Sequence, residues 1–239
     1  MIRNTSSQQE IVFNGYQSGR IIPDLFSLTS ISRSSVSQTV NESIEVTTRF
    51  VKRSFDILFS SVAILAGLPV FLTIMLITKL SSKGPIFYKQ ERIGKNGEPF
   101  NIYKFRSMIV DSEVNGPQLT TDNDPRITKW GNFMRKTHLD EIPQFFNVLV
   151  GDMSVVGPRP ERAHFIKQIV AKQPLYTQLL TIRPGITSIG QIDYGYAETV
   201  EEMCQRMLLD LKYLSSVNLL TDLKVIGQTV MTMVNKKGK

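Results

Sequence analysis

A chain of 239 residues, 41% of them hydrophobic, is long enough for one domain with its own core and an appendage. Its net charge of +7 suits anionic partners such as phosphates, anionic lipid or nucleic acid, but no zinc-finger spacing, RNP motif or basic zipper is present, which argues against nucleic acid. The single cysteine, Cys204, excludes an internal disulfide and fits a reducing compartment, while two histidines, His138 and His164, without partnering cysteines argue against zinc.

Residues 1–50 are rich in Ser, Thr, Asn and Gln and read as a flexible leader. No uninterrupted apolar region follows Arg3, so the start is not a signal peptide. From Ile57 to Thr78 no residue is charged, a length that suffices to cross a bilayer as a helix. Pro69 interrupts it: the ring removes one helical hydrogen bond and clashes with the Leu65 carbonyl, which predicts a bend. Lys52 and Arg53 precede the segment, and Lys79 and Lys83 follow it. Cations at both ends favour a helix that enters, bends at Pro69 and returns, over a kinked full span or a buried core helix. The chain thus divides into a leader (1–50), a membrane-inserted re-entrant helix (51–82) and a cytosolic domain (83–239).

Within that domain, Pro85 to Tyr88 and Phe100 to Phe105 flank the Gly94–Gly97 turn and predict a β-hairpin; the two glycines are only a weak phosphate-loop signal. Residues 111–125 form a polar loop, and Trp130, Phe133 and Met134 mark the apolar face of a short helix. Helices are predicted over 163–170 and 175–182. Thr199-Val200-Glu201-Glu202 is a capping box, followed by an apolar stripe of Val200, Met203, Met207, Leu208, Leu211 and Leu214, with Cys204 in a packing role. A last helix spans about 219–234 before the solvated Lys236, Lys237 and Lys239. The fold class is α+β, mostly helical, with one short hairpin.

The segment from Arg135 to Pro160 carries the chemistry. Adjacent carboxylates, Asp140 and Glu141, precede an apolar run opened by Pro143, with arginines on both sides at Arg135 and Arg159. Asp140 is expected as the N-cap of a helix through Ile142, Phe145, Phe146 and Leu149, near free N–H groups that suit a phosphate. An ionised carboxylate attacks phosphorus, and its neighbour holds a divalent metal. The plain alternative is that both acids only start a helix. Prolines 158 and 160 restrain the backbone around Arg159, readying it for bidentate phosphate contact or leaving it a surface arginine in a turn. An ion pair with either acid is the rival role for Arg135. Lys104 and Arg106 beside a strand, and Arg183 in a Pro-Gly turn, are weaker cationic candidates; Asp152 is a supporting acid or a turn cap.

Arg135, Leu139-Asp140-Glu141, Pro143-Gln144, Asn147, Gly151-Asp152-Met153-Ser154 and Gly157-Pro158-Arg159-Pro160 stand in the order and spacing of the bacterial sugar transferases. Lys83-Gly84-Pro85, Arg92-Ile93-Gly94, Tyr103 to Met108, Arg183 to Thr187, Gln191 and Asp210 to Tyr213 continue the match, which resembles the monotopic phosphoglycosyl transferases from about Lys52 onward. The resemblance implies a proline-kinked helix dipping into one leaflet of the bacterial inner (cytoplasmic) membrane, with the catalytic domain on the cytoplasmic face. It implies a UDP-sugar donor and a polyprenyl (undecaprenyl) phosphate acceptor. Asp140 would attack the β-phosphate and expel UMP, and Glu141 would hold Mg²⁺. Arg159, Arg135, Lys104, Arg106 and Arg183 would contact substrate phosphates. A homodimer and contacts with later glycosyltransferases are left open as partners.

Three departures accompany it. Leu68 stands before Pro69 where the family often has Ser, so either Ser61 or Thr73 satisfies the freed carbonyl or the kink is less tightly fixed. Ser188-Ile189-Gly190 intervenes before Gln191, and Asp193-Tyr194-Gly195-Tyr196 is individual; if that loop touches the sugar, it bears on which sugar is used. The large N-terminal membrane region of longer relatives is not seen, which predicts a minimal catalytic form with a short leader. Two other classes compete: a basic membrane-surface scaffold, for which Asp140→Asn is harmless, and a metal-dependent phosphohydrolase that needs no polyprenyl phosphate.

Overall fold

The computed structural model describes residues 46–235, without 115, 122 and 123 and without the side chains of 46–48. Most of the leader and the terminal lysines lie outside the described residues. The chain forms a mostly helical α+β fold around one long apolar helix, α1 (Val46–Ser81), which begins inside the segment assigned to the leader and runs on through Pro69. At about 1.5 Å per residue its 36 residues reach roughly 54 Å, well beyond a hydrocarbon core of about 30 Å.

The polarity of α1 is inverted relative to a soluble helix. Its inward face buries Asp56, Ser60 and Thr78 together with Ile74, whereas Leu58, Val62, Leu65, Leu72, Leu76 and Leu80 are exposed. Each such apolar side chain left in water forgoes about 1.5–3 kcal/mol of burial. That pattern fits a lipid environment and is inconsistent with a core helix. Thr73 Oγ1 donates to the Pro69 carbonyl at 2.8 Å, not to the Leu65 carbonyl that the proline leaves without its helical donor.

The base of α1 is locked to the domain by polar contacts. Lys52 Nζ donates to Asp222 Oδ2 at 2.5 Å and to the Val156 carbonyl at 3.0 Å. Tyr213 Oη donates to Asp222 Oδ1 at 2.5 Å. Asp56 Oδ1 accepts from Ser154 Oγ and from the Val155 N–H, each at 3.0 Å. Arg53 donates to the Val148 and Leu149 carbonyls at 2.6 and 3.0 Å. Of the four cations expected to flank the membrane segment, Lys52 and Arg53 therefore reach inward, where they satisfy carbonyls and a buried acid, while Lys79 and Lys83 are exposed.

Strands β1 (Phe87–Ile93) and β2 (Pro99–Phe105) pair antiparallel with Phe87 opposite Phe105 and Ile93 opposite Pro99, longer than the predicted hairpin. Asn96 and Gly97 take positive φ in the connecting turn. Helix α2 (Lys129–Lys136) buries Met134 under Phe105 and Ile74, but Phe133 lies outward against the Trp130 ring, contrary to its expected place on the apolar face. A short 3₁₀ turn (Leu139–Glu141) leads to α3 (Gln144–Val150) and then to β3 (Ser154–Val156).

Helix α4 (Ala163–Lys172) matches expectation; the next predicted helix is instead a 3₁₀ segment, Pro174–Thr181. Strand β4 (Gly185–Thr187) pairs parallel with β3, Ser154 opposite Gly185 and Val156 opposite Thr187, a pairing that local pattern did not suggest. Helix α5 (Ile189–Asp193) precedes α6 (Val200–Leu214), whose Thr199–Glu202 capping box is formed. Met203, Met207, Leu214 and Cys204 of α6 pack with Phe165, Ile166 and Leu179 in the main core. The last element of the described residues is α7 (Leu219–Asn235).

Candidate active site

The acids sit on a tight turn. His138 adopts a left-handed φ of 54° and opens the single 3₁₀ turn that holds Asp140 and Glu141. Pro143 has no N–H, so an α-helical bond back to Leu139 cannot form. The chain makes shorter bonds instead: Glu141 N–H to the His138 carbonyl, Ile142 to Leu139 and Phe146 to Pro143. Pro143 occupies the cap of α3, so Asp140 is not the N-cap expected from sequence. With the capping role gone, the scaffold alternative loses the reason it gave for an aspartate at this position.

Asp140 is 5% exposed, and among the described residues no side chain donates a hydrogen bond to its carboxylate. Burial raises its carboxyl above the ordinary range; Lys104 opposes this and Glu141 adds to it. Glu141 is the opposite case. Lys104 Nζ at 2.6 Å and Arg159 Nη2 at 3.1 Å both donate to its Oε1. Burial works to raise this carboxyl too, but the two cations outweigh burial and hold it well below the ordinary range. Neighbours in sequence thus differ in state: one is clamped and anionic, the other is a desolvated carboxylate with no donor.

Distant elements supply the clamp. Lys104 comes from β2, and Asn147 of α3 fixes that strand by accepting from Tyr103 N–H at 3.1 Å and donating to the Asn101 carbonyl at 2.7 Å. Asp152 supports Asn147, accepting from its Nδ2 at 3.3 Å. Arg159 follows β3. There Gly157 and Gly185 approach so closely that a Cβ on Gly185 would lie 2.1 Å from the Gly157 nitrogen, so both positions require glycine. Burial works to lower the Arg159 guanidinium, but Glu141 and Glu161 more than offset it and keep it protonated.

Behind Arg159 lies a charged layer that the sequence reading missed. Glu161 accepts from Arg206 at 2.5 Å and from Arg92 at 3.3 Å, and Arg92 also donates to the Pro160 carbonyl at 3.1 Å. Asp210 accepts from the Gly190 N–H at 2.8 Å, and burial pushes its carboxyl up to about 6. One signal was available: Arg206 and Asp210, four residues apart, fall among Met203, Met207 and Leu214 on the buried side of α6, where charges are rare.

The other candidates are distributed. Arg135 makes no ion pair with either acid; its Nη2 donates to Tyr196 Oη at 2.6 Å, with its charge still within electrostatic reach of Asp140. Arg106 donates to the Ser82 carbonyl and hydroxyl, both at 2.7 Å, at the end of α1, and its Nε and Nη1 are buried without partners. Arg183 donates from Nε to the Gly151 carbonyl at 2.8 Å, beside Arg53 and Lys95.

As to metal, the described residues contain no group of three His, Cys, Asp or Glu side chains. A magnesium ion needs only one or two carboxylates together with substrate phosphates. Glu141 meets that requirement: both cations fall on Oε1, which leaves Oε2 for a hard oxygen-seeking ion.

A family model described as bacterial sugar transferase matches residues 47–236. The chain is 40% identical over 189 residues to a UDP-N-acetylgalactosamine-undecaprenyl-phosphate N-acetylgalactosaminephosphotransferase of Aeromonas hydrophila, covering 79% of this chain and 45% of that protein. It is 41% identical over 198 residues to the UDP-glucose:undecaprenyl-phosphate glucose-1-phosphate transferase of Escherichia coli (strain K12), covering 79% and 41%. It is 38% identical over 195 residues to the exopolysaccharide production protein PSS of Rhizobium leguminosarum bv. phaseoli, covering 78% and 96%. The chain spans less than half the length of the first two relatives and nearly all of the third. With the match running from the long apolar helix through both acids to the last helix, the chain belongs to the bacterial sugar transferase family.

Proposed function

We propose that this protein transfers a sugar 1-phosphate from a UDP-sugar to undecaprenyl phosphate, releasing UMP and starting the assembly of a polysaccharide or glycoconjugate. The carrying observation is the contrast within the acid pair: a buried carboxylate without a donor beside one held anionic by two cations. A carboxylate already engaged by donors is a poor nucleophile, whereas the bare Asp140 keeps its lone pairs available.

In this reading Asp140 attacks the β-phosphorus of the donor. A P–O bond forms to Asp140, and the bond from the β-phosphorus to the bridging oxygen breaks, so UMP leaves with that electron pair. An oxygen of undecaprenyl phosphate then attacks the same phosphorus and returns Asp140 as a free carboxylate. Lys104 and Arg159, already converging at Glu141, offset the repulsion between a carboxylate nucleophile and an anionic diphosphate. Mg²⁺ held through Glu141 and the donor's diphosphate would add charge neutralisation on the leaving UMP.

The membrane reading rests on where α1 touches the domain. Asp56 near its start bonds Ser154 and Val155, and Thr78 near its end accepts from Trp130 Nε1 at 3.0 Å. A straight span puts its two ends on opposite faces of the bilayer, so one cytosolic domain could not hold both. A helix bent at Pro69 that returns to the cytoplasmic face of the inner membrane is compatible with both contacts.

The test uses full-length protein in nanodiscs with Mg²⁺ and a panel of UDP-sugars. Exchange of labelled UMP into one donor without any acceptor, together with a sugar-phosphate mass on the peptide bearing Asp140, is expected. Transfer that requires donor and acceptor together, or that survives Asp140→Asn, would reject the two-step route. UMP release to water alone would favour a phosphohydrolase.

A further inference from the structure

The loop between α5 and α6 carries an aromatic side chain that the mechanism above does not use. Tyr196 is 54% exposed, yet it is fixed at its base: the next residue, Ala197, is buried in the main core with Met203 and Met207. Gly195, with φ of 90°, turns the chain so that Tyr196 stands outward. The ring is not a loose surface residue. Arg135 donates to its hydroxyl at 2.6 Å, 61 residues away in sequence, and the guanidinium carbon lies 5.8 Å from the ring centroid.

Arg135 therefore meets this ring directly. The charge of Arg135 also acts on Asp140. Tyr196 is thus joined through Arg135 to the segment that leads into the acid turn, where the His138 N–H donates to the Arg135 carbonyl and the Glu141 N–H to the His138 carbonyl. A half-exposed ring oriented by a cation suits the C–H face of a hexose, with its hydroxyl near the sugar's own hydroxyls. The order of groups in the donor supports the sugar over the base. The hexose is bonded to the phosphate that Asp140 attacks, whereas uracil is separated from it by the α-phosphate and ribose.

We propose that Tyr196 packs against the sugar of the donor and helps determine which sugar is accepted. The inference rests on the transferase reading above and names the specificity contact within it. Arg135 is then a positioning residue for the ring as well as a candidate phosphate contact.

The experiment measures kcat/KM in nanodiscs for UDP-hexoses that differ at C2 and C4, in wild type, Tyr196→Phe and Tyr196→Ala, alongside inhibition by UMP. Tyr196→Ala should change the preference between the best and second donor by about tenfold. Tyr196→Phe should change it less, and inhibition by UMP should stay constant. An equal fall for every donor would overturn the proposal and leave the ring as only a support for Arg135. Weaker UMP inhibition in step with the loss would overturn it in favour of a uracil contact. If wild type releases UMP from no donor, the transferase reading itself fails; uniform loss in an otherwise active enzyme counts against Tyr196 alone.

Discussion

Two buried acidic centres in this protein are built in opposite ways. At the base of α1, Asp222 is fully buried and takes Lys52 on one oxygen and Tyr213 on the other, while Asp56 takes Ser154 and the Val155 backbone. At the dyad, Glu141 takes two cations on one oxygen and Asp140 takes no donor. The first centre meets the usual rule that buried polar groups are paired, and it ties α1 to β3 and α7. The second leaves the carboxylate of a residue only 5% exposed without a donor. The contrast separates a structural lock from a carboxylate left free for the proposed attack.

The sharpest way to break this comparison is Asp140→Asn. Turnover should fall at least about a thousandfold, while the melting temperature in nanodiscs stays equal or rises. Burial raises the Asp140 carboxyl, so its charged form costs stability at neutral pH and an amide removes that cost. A lower melting temperature with retained turnover would make Asp140 a structural residue after all.

Asp222→Ala should do the reverse. It strands Lys52 and the Tyr213 hydroxyl, with an expected stability loss of about 3–4 kcal/mol and little change in turnover of the folded fraction. Glu141→Gln should fall between the two, costing about 3 kcal/mol by freeing Lys104 and Arg159 from their shared carboxylate and also lowering turnover. Thermal melts beside UMP release would read both quantities for each variant.

The pH dependence sharpens the contrast. The proposed attack needs ionised Asp140, whose carboxyl is raised by burial, so the acid limb of kcat/KM should lie above the ordinary carboxylate value of 3.8. Glu141 has the opposite sign. Its lowered carboxyl contributes stability above its ordinary value of 4.5, and that contribution disappears as pH falls through the lowered value. Activity should therefore be lost at a higher pH than the Glu141 contribution to stability. The smallest effect expected is Thr199→Ala, about 1 kcal/mol from losing the capping box of α6, with donor preference unchanged.

What was legible in the sequence follows from short-range rules. The capping box on Thr199 and the stripe on α6 depend on periodicity and stand where local pattern put them, and the hairpin forms around its expected turn with a first strand that runs on to Ile93. The uncharged run through Pro69 announced a long apolar helix. Local rules failed where a proline or a distant partner decided the outcome. Asp140 read as a cap, but the missing N–H of Pro143 made the turn 3₁₀ and moved the cap. Lys52 and Arg53 read as membrane-flanking charges, and local pattern could not name their partners, Asp222 and the α3 carbonyls.

The sequence by itself determined which residues carry charge, where the apolar helix runs and that two acids adjoin between arginines. These are properties of neighbours along the chain. The tertiary structure alone decided that Lys104 and Arg159 converge on Glu141 and leave Asp140 bare, and that Tyr196 meets Arg135. Those pairings join residues up to 61 positions apart through the β1–β2 hairpin, the Gly157–Gly185 approach and the anchored α5–α6 loop. Burial and the partners that folding brings near set the charge state of each acid, and neither is a property of sequence neighbours.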